Sequence, residues 1–157
     1  MSTLQNITYD NINIGQTASY SRTLTEDQLT LFAAVSGDVN PVHLDAEFAA
    51  GTQFKERIGH GAWTSAAISA ALALHLPGPG TIYLSQTLSF RAPVKIGDTI
   101  TVHLEVTDKK DDKKFVTLAC NVVNQHGKTV AKGTAEVLAP SEALVLPKPE
   151  LPSIKIG

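Results

Sequence analysis

Residues 60–76 read HGAWTSAAISAALALHL and are followed at once by Pro77-Gly78-Pro79-Gly80. The stretch predicts one helix that opens at His60-Gly61 and runs to His75 or Leu76, where the Pro-Gly run breaks it. Ala62, Ser65, Ala66, Ala67, Ser69, Ala70, Ala71 and Ala73 crowd it with small side chains. A helix that is small and apolar all round is a buried helix, and its thin surface lets it lie close against a sheet. It is too short to span a bilayer, and it carries Thr, Ser and His.

Four alternating runs follow the break. Ile82, Leu84, Leu88 and Phe90 share a face of Thr81–Phe90, and Ile100, Val102, Leu104 and Val106 share one of Thr99–Thr107. Val116, Leu118, Cys120 and Val122 do the same in Phe115–Val123. In Thr129–Leu138 the smaller set Ala131, Gly133, Ala135 and Val137 lies opposite Val130 and Leu138. Period-two alternation predicts half-buried antiparallel strands, with turns near Gly97-Asp98, Asp111-Asp112 and His126-Gly127. Thr17–Thr23 is a weaker fifth strand. Upstream, Thr25-Glu26-Asp27-Gln28 is a capping box with acids in the first turn. It opens a helix with Leu29, Phe32 and Ala33 on one side, which Ser36-Gly37 should close. Asp38 to about Ile58 reads as loop with short helical pieces. One buried helix with a run of strands is an α+β domain, an antiparallel sheet wrapped around a central helix in the manner of a hot-dog fold. Such a sheet has edges to cover, so a homodimer is expected.

The chain has 157 residues and a net charge of −2, enough for one domain with a real core. Residues 1–139 are read as that domain and the Pro-rich residues 140–157 as an extended surface tail. Lys and Arg are dispersed, which leaves no footprint for a nucleic-acid partner. Lys109 to Lys114 mixes both signs and reads as a solvated hairpin tip. Cys120 is the single cysteine; on an alternating apolar strand it is expected to be a buried, inert thiol. The first residues, MSTLQNITYD, lack a basic region followed by an apolar run. A soluble cytoplasmic protein with no membrane partner is the expectation.

Chemistry concentrates in residues 32–49, FAAVSGDVNPVHLDAEFA. Asp38 and His43 stand on either side of Asn40-Pro41. Five residues apart, they would lie off a common face of a continuous helix. Pro41 disfavours helix at Asn40, so the chain turns, and a turn can bring carboxylate and imidazole to one point. Adding water to an activated double bond needs such a pair, because a proton must leave the attacking water and another must reach the α-carbon. The plainer alternative is an Asx-turn Asp and a surface His after a helix end. Asn40 is read as structural, bonding nearby backbone to fix the turn.

The same eighteen residues resemble the signature of the (R)-specific enoyl-CoA hydratases, the MaoC-like or hydratase 2 group. His60-Gly61 opening a small-residue helix is similar to that family. So are Ile82-Tyr83-Leu84-Ser85-Gln86 with Leu88-Ser89-Phe90, and Pro93-Val94 with Gly97-Asp98. The resemblance covers roughly residues 18 to 138, and is nearest to short bacterial hydratases that supply (R)-3-hydroxyacyl-CoA for polyhydroxyalkanoate synthesis. The tail after Ala139 matches nothing in it. By this resemblance Asp38 and His43 hold one catalytic water, both parts of which add to the same face of trans-2-enoyl-CoA. Gly61 offers a backbone N–H to the thioester oxygen, Ser69 contacts the reacting end, and Leu72 lies deeper in the acyl pocket. Local alternatives remain: Gly61 as a simple helix-start glycine, and Ser69 as a hydroxyl bonded back to the Ser65 carbonyl.

No nucleotide cofactor is implied, since there is no P-loop or GxGxxG. Coenzyme A enters as part of an acyl-CoA thioester substrate, with Lys55, Arg57 and Arg91 as unranked candidates for its phosphates. No metal is expected: Asp38-x-Asn40 begins like a calcium loop, but its sixth position is His43 and its twelfth Ala49. His60 could orient a ligand or merely precede the helix, and the second reading is preferred. Three competing functions share the fold: an acyl-carrier-protein dehydratase, a thioesterase and a non-enzymatic acyl-thioester-binding module. The thioesterase would usually need a carboxylate on or near the central helix, where Ala62–Leu76 has none.

Overall fold

The computed structural model describes residues 2–157. Thr3–Gln5 forms β1, Thr17–Thr23 β2, Glu26–Ser36 α1, Pro41–Leu44 α2, Ala46–Ala50 α3 and Gly61–Leu74 α4. Ile82–Phe90, Thr99–Lys110, Phe115–Val123, Thr129–Leu138 and Val145–Pro147 are β3 to β7. Five strands make one antiparallel sheet in the order β2-β4-β5-β6-β3.

Helix α4 is the core of the fold. Trp63, Thr64, Ala67, Ile68, Ala71 and Leu72 are buried. All but Thr64 share one apolar cluster with the alternate residues of β4 (Ile100, Val102, Leu104, Val106) and β5 (Val116, Leu118, Cys120, Val122). These are the inward sets that the alternation predicts. Ala131, Ala135 and Val137 of β6 complete the floor. Cys120 is buried, and burial pushes its thiol pKa up, which keeps it in the unreactive protonated form. Thr17–Thr23 is a full edge strand paired to β4 from Thr17↔Glu105 to Thr23↔Thr99. At α1, the Thr25 side chain accepts from the Gln28 N–H, and Gly37 ends the helix at φ 77°.

Three expectations are modified. The shared face of β3 is not half-buried: Ile82, Leu84 and Phe90 are 54%, 42% and 55% exposed, and Leu88 alone of that set packs against the core. β3 is an edge of the sheet, and a bulge between Tyr83 and Ser85 breaks its alternation. β4 runs on to Lys110 past a bulge between Val106 and Asp108. The hairpin tip at Lys109–Lys114 is docked rather than freely solvated. Lys109 Nζ donates to the Ile12 carbonyl at 2.7 Å, and the Tyr9 hydroxyl donates to Asp111 at 2.6 Å. Lys109 and Lys114 both lie over the Tyr9 ring.

In the tail, β7 pairs with β1, and the residues beyond it are irregular and exposed. Lys148, Pro149 and Leu151 border a cavity of about 620 Å³ between β2 and α4. No helix among the described residues is long and apolar enough to cross a membrane.

Gly133 sits where β6 passes closest to β3. A Cβ there would lie 1.8 Å from the Thr87 carbonyl oxygen, so backbone would have to move. Gly133→Ala is expected to destabilise the protein by about 1–3 kcal/mol, read as a lower urea midpoint at unchanged slope.

Candidate active site

The loop after α1 is built by short-range hydrogen bonds. Gly37 adopts the left-handed conformation that glycine takes at no steric cost, which turns the chain out of the helix at Asp38. Asp38 Oδ1 accepts the Asn40 N–H at 3.1 Å, and Asn40 Oδ1 accepts the Val42 N–H at 3.2 Å. Pro41 then takes the first position of α2, where a missing N–H costs nothing. The resulting bend carries His43 back over the acid, with His43 Nε2 3.8 Å from Asp38 Oδ2. Asn40 thus has the turn-fixing role its chemistry suggests.

His43 is held by backbone. Its Nδ1 lies 2.7 Å from the Ile58 carbonyl, which can only accept, so Nδ1 carries the proton and Nε2 presents a bare lone pair. Arg57 fixes the same segment: Nε donates to the His43 carbonyl at 2.7 Å and Nη1 pairs with Glu26 at 2.6 Å. Its guanidinium is therefore committed inside the protein. Asp38 Oδ2 and His43 Nε2 are both acceptors, too far apart for a bond to each other. Their spacing suits one water donating a proton to each, with its own lone pairs facing outward.

His60 belongs to this cluster, contrary to its reading as a residue that only precedes the helix. It is the N-cap of α4 and 3% exposed. Its Nε2 is 2.9 Å from the Asp38 carbonyl and 4.0 Å from Asp38 Oδ2. Its ring stacks on His43 with centroids 3.7 Å apart at 24°, and Phe32 lies 5.1 Å away across the loop. In the neutral ring, with Nε2 donating to a carbonyl, Nδ1 is an acceptor; it is buried and has no partner among the described residues. Leaving such an acceptor bare costs about 1–3 kcal/mol. Twenty-two residues separate His60 from Asp38 in sequence, and no local pattern links them.

Gly61 is the first residue of α4, so its N–H has no carbonyl one turn below it. A side chain there would come within 3.1 Å of two Phe90 ring carbons. Gly61 shares with Ile58, His60, Thr64, Phe90 and Arg91 the wall of a cavity of about 380 Å³. Of the three cations considered for CoA phosphates, Arg91 alone borders this cavity. Ser69 lies half-buried about 12 Å further along the helix. The hydroxyl back-bond considered for Ser69 occurs one turn earlier, from Ser65 to the Gly61 carbonyl at 3.5 Å. Leu72 is 1% exposed, within the core between helix and sheet. The fold thus gathers Asp38, His43 and Gly61 around His60, with Ser69 and Leu72 strung along α4 below them.

Asp38, His43 and His60 each offer one ligand atom, all within 4.8 Å of one another. This is a poor metal seat. His60 Nε2 is spent on the Asp38 carbonyl. The two rings are nearly parallel, so an ion about 2.1 Å from one Nε2 and in its ring plane would stand well outside the plane of the other.

Residues 10–128 match the MaoC-like domain family. The chain is 45% identical over 135 residues to the (R)-specific enoyl-CoA hydratase of Rhodospirillum rubrum, covering 85% of this chain and 92% of that protein. The structure resembles the R-hydratase PhaJ1 of Pseudomonas aeruginosa with a TM-score of 0.95 and 56% identity, over 99% of this chain and 100% of that one. It also resembles the (R)-hydratase of A. caviae, involved in PHA biosynthesis, with a TM-score of 0.80 and 41% identity over 82% of this chain and 98% of that one. The likeness to the P. aeruginosa protein takes in the Pro-rich tail that the sequence motifs leave unassigned. Signature, wrapped helix and these likenesses agree: the chain belongs to the MaoC-like family.

Proposed function

We propose that this protein reversibly adds water to trans-2-enoyl-CoA, giving (R)-3-hydroxyacyl-CoA by syn addition, with Asp38 and His43 holding the water. The observation that carries this is the pair of bare acceptors 3.8 Å apart, in contact with His60, which lines a cavity together with its neighbour Gly61. The water oxygen bonds to C3 as one of its protons passes to the Asp38–His43 pair. The C2–C3 π electrons move toward the thioester carbonyl, and the pair returns that proton to C2 from the same side, which leaves both side chains as they began. The step is assigned to the pair and not to either residue alone. The Gly61 N–H and the positive end of α4 stabilise the enolate-like oxygen as it gains charge.

The acyl chain then runs from Gly61 past Ser69, and Leu72 closes the far end. Arg91, exposed at the cavity rim, is the cation placed to meet the anionic part of CoA. No resident cofactor is required, because CoA arrives with the substrate. A thioesterase would aim water at the carbonyl carbon, usually from a carboxylate on or near the central helix. Gly61–Leu74 carries none, and the carboxylate at its N-terminal end, Asp38, stands with His43.

A second copy is the occupant proposed for the uncovered edge. The long apolar strand β3 and the small face of α4 at Ala62 and Ala66 form one surface, and an apolar strand edge left open invites pairing. The working unit is a homodimer in the cytoplasm.

Asp38→Asn is expected to lower kcat on crotonyl-CoA at least about a hundredfold, followed as loss of the conjugated thioester absorbance. Product stereochemistry is read with an (R)-specific enzyme. Unchanged turnover would remove Asp38 from the mechanism. Leu72→Ala should shift preference toward longer enoyl-CoA chains while costing about 2–5 kcal/mol of stability; an identical chain-length profile would show that Leu72 does not bound the pocket. The double change Ile82→Lys with Leu84→Lys should turn a dimer into a monomer in sedimentation equilibrium.

A further inference from the structure

We infer that His60 is a positioning residue: its Nε2–H grips the Asp38 carbonyl and so sets the carboxylate against His43 and the Gly61 N–H. Asp38 lies in an exposed stretch, and its side chain is 51% exposed. Its other hydrogen bonds are local, from its own N–H to Ser36 Oγ and from the Asn40 N–H to its Oδ1. Such bonds shape the loop but do not fix it to the body of the protein. The His60 bond does, because His60 caps the buried helix and its ring is held between Phe32 and His43.

The unpartnered Nδ1 is the second sign. An apolar ring would fill this space without leaving a buried acceptor bare. An imidazole here is explained by what its other nitrogen does. With Nε2 as donor, one rigid group references the acid through its backbone, the base through its stacked ring and the oxyanion donor through the peptide that follows it. His60 thus acts through Asp38 and not on the substrate. This rests on the hydration reading above.

Nitrogen-15 NMR of the wild-type protein should find His60 protonated on Nε2 and bare on Nδ1; the opposite tautomer overturns the inference. Two variants separate donor from ring. His60→Phe keeps the stack and loses the donor, and should lower kcat about tenfold or more with KM within about twofold. His60→Gln keeps an amide donor and should stay within about threefold of wild type. In an Asp38→Asn background, His60→Phe should have little further effect, as it must if His60 works through Asp38. His60→Phe at wild-type kcat, or His60→Gln as impaired as His60→Phe, overturns the inference. If His60→Phe does not fold, the wild-type tautomer and the His60→Gln kinetics decide. Asp38→Asn run in parallel separates the failures: if it is fully active the hydration reading fails, whereas if it alone is impaired only the role of His60 falls.

Discussion

Helix α4 lies in the curve of an antiparallel sheet with Ile68, Ala71 and Leu72 fully covered, and its depth there is set by side-chain size. Ala67 and Ala71 let the backbone come close, while Ile68 and Leu72 fill the space beside them. Burying a large aliphatic side chain is worth about 1.5–3 kcal/mol, so several together hold the helix firmly in register. The position of its N-terminus follows. His60 and Gly61 emerge beside the loop that leaves α1, where the His60 ring reaches the Asp38 carbonyl and stacks on His43. Chemistry at the rim depends on packing at the centre, since a slide of α4 by one turn would carry Gly61 about 5.4 Å from the acid.

The fold was legible because its periodicities are local and strong. The inward sets of β4 and β5 are the alternating residues of the sequence, and Thr25 and Gly37 bracket α1 with two unambiguous caps. The apolar face of β3 was legible too, but not what covers it. Alternation says that Ile82, Leu84 and Phe90 belong against something; it does not say whether that surface lies in the same chain. The docking of the Lys109–Lys114 tip was invisible for a related reason. Its partners, Ile12 and Tyr9, are about a hundred residues away, and a mixed-charge run looks the same whether solvated or pinned.

The candidate site divides along the same line. Asp38, Asn40, Pro41 and His43 form a closed local unit, and the chemistry of each residue dictates its part in the bend. Spacing and the proline admit their convergence; the resemblance carried by the surrounding string is what favoured it. His60 and Arg57 could not be placed in this way, because their partners are brought near only by tertiary packing: the Asp38 carbonyl for one, the His43 carbonyl and Glu26 for the other. Arg57, an even candidate for phosphate binding by sequence, is tied up in holding the turn. Arg91 is distinguished only by where the sheet edge puts it.

In the proposed reaction the half-open state of Asp38 would tie catalysis to substrate binding. A carboxylate partly in solvent acts through a high dielectric, where its influence on a neighbouring charge is weak. His43 is the opposite case, 8% exposed and fixed by the Ile58 carbonyl. A thioester lying over Gly61 would cover the open side of Asp38 and drive bulk water out of the space between acid, imidazole and helix end. Each electrostatic contact there then strengthens at the moment charge develops on the thioester oxygen. In the proposed reaction the protein would supply a fixed imidazole and a fixed helix-end N–H, and the substrate itself would complete the enclosure of the acid. With its carbonyl bonded to His60, Asp38 would remain accessible in the free protein and, on the inferred role of His60, still be in place when the thioester arrives.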